Sequence, residues 1–218
     1  MSSTSRSLLA LVTLSMSSCL ALGDDLSPPP WRGSAGTTFQ HWGFDQPGSV
    51  GPPDNGLHNP YGTPLFKPDP GATWDPVDPS GQRFGTYVIQ QNQMLNFEIP
   101  NDGQPNGQKE LWLQYVFTTI DGFVPQSSVL DTSSGTPFTL LSSTATDLGG
   151  GLYHVLDVFT LGSCPPSELV RLAPGTINSP AWIDQVVVDT RCVTIPAPGA
   201  LGLLGIGGLM TTRPRRSS

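Results

Sequence analysis

The sequence predicts an all-β protein. It is read as a single antiparallel β-sandwich of jelly-roll type, with a signal peptide before it and an apolar helix after it. Three observations carry this reading. Glycine and proline are abundant, at 25 and 23 of 218 residues, which disfavours long helices. From Arg83 onward, short alternating apolar runs recur about every ten residues, with turn signals between them. No repeat of fixed period is visible, which disfavours a solenoid or a propeller.

Residues 1–23 read as a secretory signal peptide. Arg6 is their only charge, Leu8-Leu9-Ala10-Leu11-Val12 opens an apolar region, and Ala21-Leu22-Gly23 offers small residues for cleavage. Cys19 leaves a second reading open, in which Met16-Ser17-Ser18-Cys19 is a lipoprotein box. Residues 24–82 are turn-rich, with Pro28-Pro29-Pro30, Asn59-Pro60-Tyr61-Gly62, Asp69-Pro70-Gly71 and Asp78-Pro79-Ser80-Gly81. One strand is expected there, Thr37 to Phe44, and the rest is expected as ordered loop around the sheet.

Residues 83–194 are expected to form the sandwich core. Tyr87 to Ile89 and Leu95 to Ile99 read as strands, with a break near Gln91. Asn101-Asp102-Gly103 marks a turn. Glu110 to Thr119 is the clearest strand, since Leu111, Leu113, Tyr115 and Phe117 share one face. Further strands are expected at Ser128 to Asp131, Phe138 to Ser142, Leu152 to Leu161, Glu168 to Leu172 and Trp182 to Thr190. Gly149-Gly150-Gly151 reads as a hairpin turn.

Residues 195–218 differ in kind. Ile195-Pro196-Ala197-Pro198-Gly199-Ala200 leads into an apolar run, Leu201 to Met210, and then into Arg213, Arg215 and Arg216. A bilayer core about 30 Å thick needs roughly 20 apolar residues, so this run makes only a weak membrane stop. The arginines would stay on the cytoplasmic side. The three parts in this order resemble the PEP-CTERM sorting signal, with Ala197 where the usual motif has Glu. That resemblance covers the tail alone. It implies an exosortase-type processing enzyme as partner and delivery to the cell envelope or extracellular matrix. Trp31-Arg32-Gly33, Gly36-Thr37-Thr38-Phe39-Gln40 and Asn59-Pro60-Tyr61-Gly62-Thr63-Pro64 resemble segments of exported planctomycete-type proteins with such tails. Trp182 to Thr190 resembles the closing strand of exported jelly-roll domains.

Charge narrows the partners. All 17 acidic residues lie between Asp24 and Asp189, against Arg32, Lys67, Arg83, Lys109, Arg171 and Arg191. Such a balance argues against nucleic acid or anionic lipid. Removal of the leader leaves Cys164 and Cys192, an even pair in an exported domain, and a disulfide is expected. It would close a loop of about 29 residues, worth on the order of 3 kcal/mol.

No constellation for catalysis emerges, and the protein reads as a non-enzyme. His41, His58 and His154 lack metal-ligand spacing, and no Gly-x-Ser-x-Gly elbow occurs. Asp184 and Asp189, five apart, are expected on opposite faces of a regular strand. Asp157 falls on the apolar face of its strand, and Glu98 and Glu110 flank a turn. None of these forms a recognisable acid–base pair. No cofactor is implied; Asp69, Asp75 and Asp78 could offer oxygens to Ca²⁺ but read better as turn residues. Among five tryptophans, Trp74 in a polar loop and Trp112 on the less apolar strand face are the candidates for stacking on sugar rings. Two function classes follow: a structural or interaction protein of the cell surface, and a carbohydrate-binding module. A glycan hydrolase is the weaker third.

Overall fold

The computed structural model describes residues 25–48, 50–104, 106–176 and 178–194. The expected signal peptide over 1–23 lies outside the described residues. So does the sorting tail over 195–218, with Pro196, Ala197, Pro198, Arg213, Arg215 and Arg216. Among the described residues, no helix is long and apolar enough to cross a membrane.

Twelve strands follow in chain order among the described residues. They are β1 (Thr37–Trp42), β2 (Gly56–His58), β3 (Leu65–Pro68), β4 (Thr73–Val77), β5 (Phe84–Ile89) and β6 (Leu95–Pro100). Then come β7 (Gly107–Thr119), β8 (Gln126–Asp131), β9 (Thr139–Gly149), β10 (Leu152–Leu161), β11 (Ser167–Ala173) and β12 (Ala181–Thr194). All pairings are antiparallel. One sheet runs β2-β1-β12-β7-β10-β9, with β5 also on β12 and β4 on β5. The other runs β3-β6-β11-β8. From β6 to β9 the chain changes sheet at every step, and it does so again from β10 to β12. That crossing pattern is a jelly roll.

The period of two decides which face is buried. Leu111, Leu113, Tyr115 and Phe117 of β7 join Leu95, Phe97 and Ile99 of β6 in one core. Trp42 of the first sheet meets Phe97 of the second at 4.9 Å between ring centroids, and Tyr87 meets Phe66 at 4.7 Å. The chain before β1 folds back over the outer face of the first sheet. Ser27 N–H donates to Gln114 Oε1 at 2.8 Å. Arg32 donates to both carboxylate oxygens of buried Asp189, each at 2.6 Å, and lies over the Phe39 ring at 4.2 Å.

Three expectations need correction. The turn-rich region holds β2, β3 and β4 as well as β1. These strands are short, and Pro68 and Pro76 interrupt the alternation that marks a strand. Strand β9 runs on to Gly149, past Ser142. All eleven of its residues are exposed, so no inside–outside pattern betrays it. Finally, β12 carries a register shift between Ile183 and Gln185. Ile183 and Val186 both face the core, so this bulge resets the alternation. Parity therefore no longer assigns Asp184 and Asp189 to opposite faces.

The turns match their chemistry. Gly149, Gly150 and Gly151 all have positive φ, at 91°, 68° and 82°, between β9 and β10. Gln91 breaks the chain after β5 with φ of 56°. Cys164 and Cys192 are bonded, with Cα atoms 5.9 Å apart. A Cβ on Gly107 would collide with both sulfurs, so only glycine fits beneath the bridge.

Candidate binding cleft

An open cleft of about 510 Å³ lies beside β4 and β5. Its lining includes Trp74, Tyr87, Pro47, Pro68, Pro70 and Asp69. Trp74 sits opposite Tyr87 in the β4–β5 register, so both rings share a face. The Trp74 indole N–H donates to the Phe44 carbonyl at 2.8 Å. The Tyr87 hydroxyl donates to the Gly48 carbonyl. These two bonds tie the segment after β1 to the aromatic pair. The segment starts at Phe44, which adopts a φ of 57°. A Cβ on Gly85 would strike the Phe44 carbonyl oxygen, so glycine there lets the segment lie against β5.

The opposite wall is the turn between β3 and β4. Asp69 holds it: Oδ2 accepts from Met94 N–H at 3.1 Å, and Oδ1 from Asn96 Nδ2 at 2.9 Å. Among the described lining residues, Asp69 is the single ionisable acid or base apart from the phenol of Tyr87. Burial raises the pKa of that phenol, so it stays neutral. The cleft is thus apolar, aromatic and nearly uncharged. Its volume falls in the usual range for small-molecule sites. A lone carboxylate already bonded to the fold gives no acid–base pair.

Trp74 is therefore not a loop residue, as expected, but a half-buried strand residue packed against the core. Trp112 is not brought near it. It points from the outer face of the first sheet, and its indole donates to Glu110 Oε1 at 2.8 Å. Trp31 meets it edge-on at 6.2 Å, and the Arg191 guanidinium lies 5.0 Å from the Trp31 ring. Arg191 also pairs with Glu110 at 2.6 Å. Trp182 donates to Asp75 at 3.4 Å, and Trp42 is buried in the core.

The other candidates separate as well. Asp75 also accepts from Val77 N–H at 3.5 Å. Asp78 accepts from Thr118, Ser80 and the amides of Gln82 and Arg83. Burial pushes its pKa up, and these donors, Thr118 foremost, bring it below the usual value. With Asp69, Asp75 and Asp78 each occupied by donors of the fold, their oxygens do not converge as a cation loop. Among the described residues no group of three His, Cys, Asp or Glu side chains could hold a metal ion. His41 bonds Gln185 at 2.9 Å and His154 bonds Gln114 at 3.2 Å, both buried. Glu98 and Glu110 stand on the outer faces of different sheets. Asp184 pairs with Arg83 at 3.3 Å. Tyr87 was the cleft residue the sequence did not flag; its place opposite Trp74 becomes visible only with the β4–β5 pairing.

No family model matches the chain, and no curated protein does. Among solved structures, it is similar to the CBM22-1 xylan-binding domain of Paenibacillus barcinonensis Xyn10C. That match has 10% identity and a TM-score of 0.40, covering 71% of this chain and 94% of that one. It is also similar to part of the bacteriophage CBA120 tailspike protein 4 enzymatically active domain. There the identity is 13% and the TM-score 0.24, over 73% of this chain and 20% of that one.

Proposed function

We propose that this protein is an exported, non-catalytic β-sandwich that holds neutral carbohydrate in the cleft beside Trp74 and Tyr87. The observation that carries the reading is the cleft's character: open, aromatic and nearly free of charge. Sugar rings present apolar C–H faces, which stack on aromatic rings without needing ion pairs. The acidic exterior suits a neutral polymer better than an anionic one. The tail supports delivery by an exosortase-type enzyme to the envelope or matrix, where such polymers lie. Intact-mass analysis of envelope-derived protein tests the delivery. Loss of Arg213 to Ser218 is expected, and a mature population that keeps them refutes it.

A second reading is a structural surface protein without a ligand. One observation favours it: the Trp74 indole N–H is already committed to Phe44, and the ring packs on the core. Affinity electrophoresis through neutral polysaccharides, with Trp74→Ala beside the unaltered protein, decides between them. Retention that falls while thermal stability holds supports the carbohydrate reading. Equal mobility of both proteins in every polysaccharide supports the structural one.

A further inference from the structure

At the end of the interior where the disulfide lies, four polar side chains meet between the sheets. Lys109 of β7 is 1% exposed and Glu168 of β11 is 0% exposed. Asn101, just after β6, is 9% exposed, and Thr190 of β12 is fully buried. Lys109 Nζ contacts Asn101 Oδ1 and donates to Thr190 Oγ1 at 2.8 Å. Asn101 Nδ2 donates to Glu168 Oε2. The second carboxylate oxygen, Oε1, has no hydrogen-bond partner and lies 3.5 Å from Lys109 Nζ. One carboxyl group thus touches both the amine and the amide nitrogen, while the amine touches the amide carbonyl.

We propose that Lys109 and Asn101 join as an intramolecular amide cross-link, formed by the fold itself with Glu168 carrying the protons. The Lys109 amine attacks Asn101 Cγ, and an N–C bond forms. Glu168 takes the proton shed by the attacking nitrogen and delivers a proton to Nδ2. The Cγ–Nδ2 bond breaks and ammonia leaves. Atoms balance as amine plus primary amide giving secondary amide plus ammonia, with no oxidant, reductant or cofactor. The Thr190 hydroxyl, donating to Asn101 Oδ1 at 3.1 Å, steadies the oxygen where negative charge develops.

Electrostatics favour the required protonation states. Burial pushes the Lys109 amine below its usual value, against the attraction of Glu168 and Asp102. Burial likewise raises the Glu168 carboxyl, against Lys109 and Asn101 and helped by Asp131. A neutral amine is the nucleophile, and a carboxyl that holds a proton can relay one. Exclusion of water protects the amide from hydrolysis.

A protease that cuts before aspartate provides the test. In the full chain, reduced and denatured, cuts before Asp78, Asp102 and Asp121 separate Asn101 from Lys109. Pieces 78–101 and 102–120 are expected to elute as one species, lighter than the two pieces together by one ammonia. A succinimide at Asn101 would block the cut before Asp102, and the single piece 78–120 would be lighter than the two pieces together by one water as well as one ammonia, so the mass tells the two apart. Glu168→Gln, checked for folding by its Cys164–Cys192 bridge and thermal transition, is expected to give two separate pieces of full mass. Where that variant does not fold, Glu168→Asp keeps a carboxyl and is expected to give a mixture. Separate pieces from the unaltered protein overturn the cross-link. Joined pieces from folded Glu168→Gln, or complete joining in Glu168→Asp, overturn the role of Glu168.

Discussion

The two ends of the interior are closed by different physics. At one end Trp42, Phe44, Phe66, Tyr87 and Phe97 pack with ring centroids 4.7 to 5.2 Å apart. That contact is strong but non-directional, and many apolar sets could supply it. At the other end Lys109, Glu168, Asn101 and Thr190 form a directional network beside the Cys164–Cys192 bridge. Each polar group there needs its particular partner, because a buried polar group left without one is costly. The aromatic end can therefore border an open cleft and still hold the sheets together. The polar end holds by specific ties.

The largest blow should come from the aromatic end. Trp42→Ala is expected to lower stability by about 3–5 kcal/mol in denaturant titration, since it empties a fully buried site shared by both sheets. A loss below about 1 kcal/mol would mean that the rings are replaceable and the ties dominate. Next, Cys164→Ser with Cys192→Ser should cost about 3 kcal/mol, the entropy of a loop with a sequence separation of 28. Ligand retention should stay unchanged, because the cleft lies at the far end. Trp74→Ala should weaken carbohydrate retention by about 1–2 kcal/mol while costing the fold less than Trp42→Ala does.

The smallest effect concerns Asp157, a buried carboxyl on the inner face with no cation beside it among the described residues. Burial raises its pKa despite bonds from Ser127 and Ser143, and Oδ1 has no hydrogen-bond partner. A folded pKa above the unfolded one means that its contribution is fully present below the unfolded value. It is lost as pH rises through the folded value. Asp157→Asn should therefore raise the melting temperature at pH 7 and leave it unchanged well below pH 4. An unchanged melting temperature at neutral pH would place the carboxyl in a wetter site. The contrast with Glu168, which has Lys109, would then rest on water rather than on charge pairing.

Sequence reading recovered most of the aromatic end and little of the polar one. The alternation of Leu111, Leu113, Tyr115 and Phe117 announces a buried face because burial of apolar area has a period. Lys109 lies on that same face. Its residue type suggests solvent, and nothing nearby in sequence reveals a Glu168 waiting on the other sheet. The disulfide was legible because Cys164 and Cys192 are the two cysteines outside the expected signal peptide, which leaves one pairing. Trp74 is expected in a loop and lies instead on β4, because that strand contains Pro76 and lacks alternation. Strand β9 was cut short because a strand wet on both faces writes no pattern.

Cys192 stands two residues before Thr194, the end of β12, in register with Lys109 on the central strand β7. Tension applied to the chain beyond Thr194 would draw β12 lengthwise out of the sheet. Before the longer part of that strand could slide, the load would reach the sulfur bridge and pass sideways into the loop ahead of β11. The C-terminal end of β12 is thus tied through the bridge to the loop that joins β10 of one sheet to β11 of the other, and force entering there is shared between them.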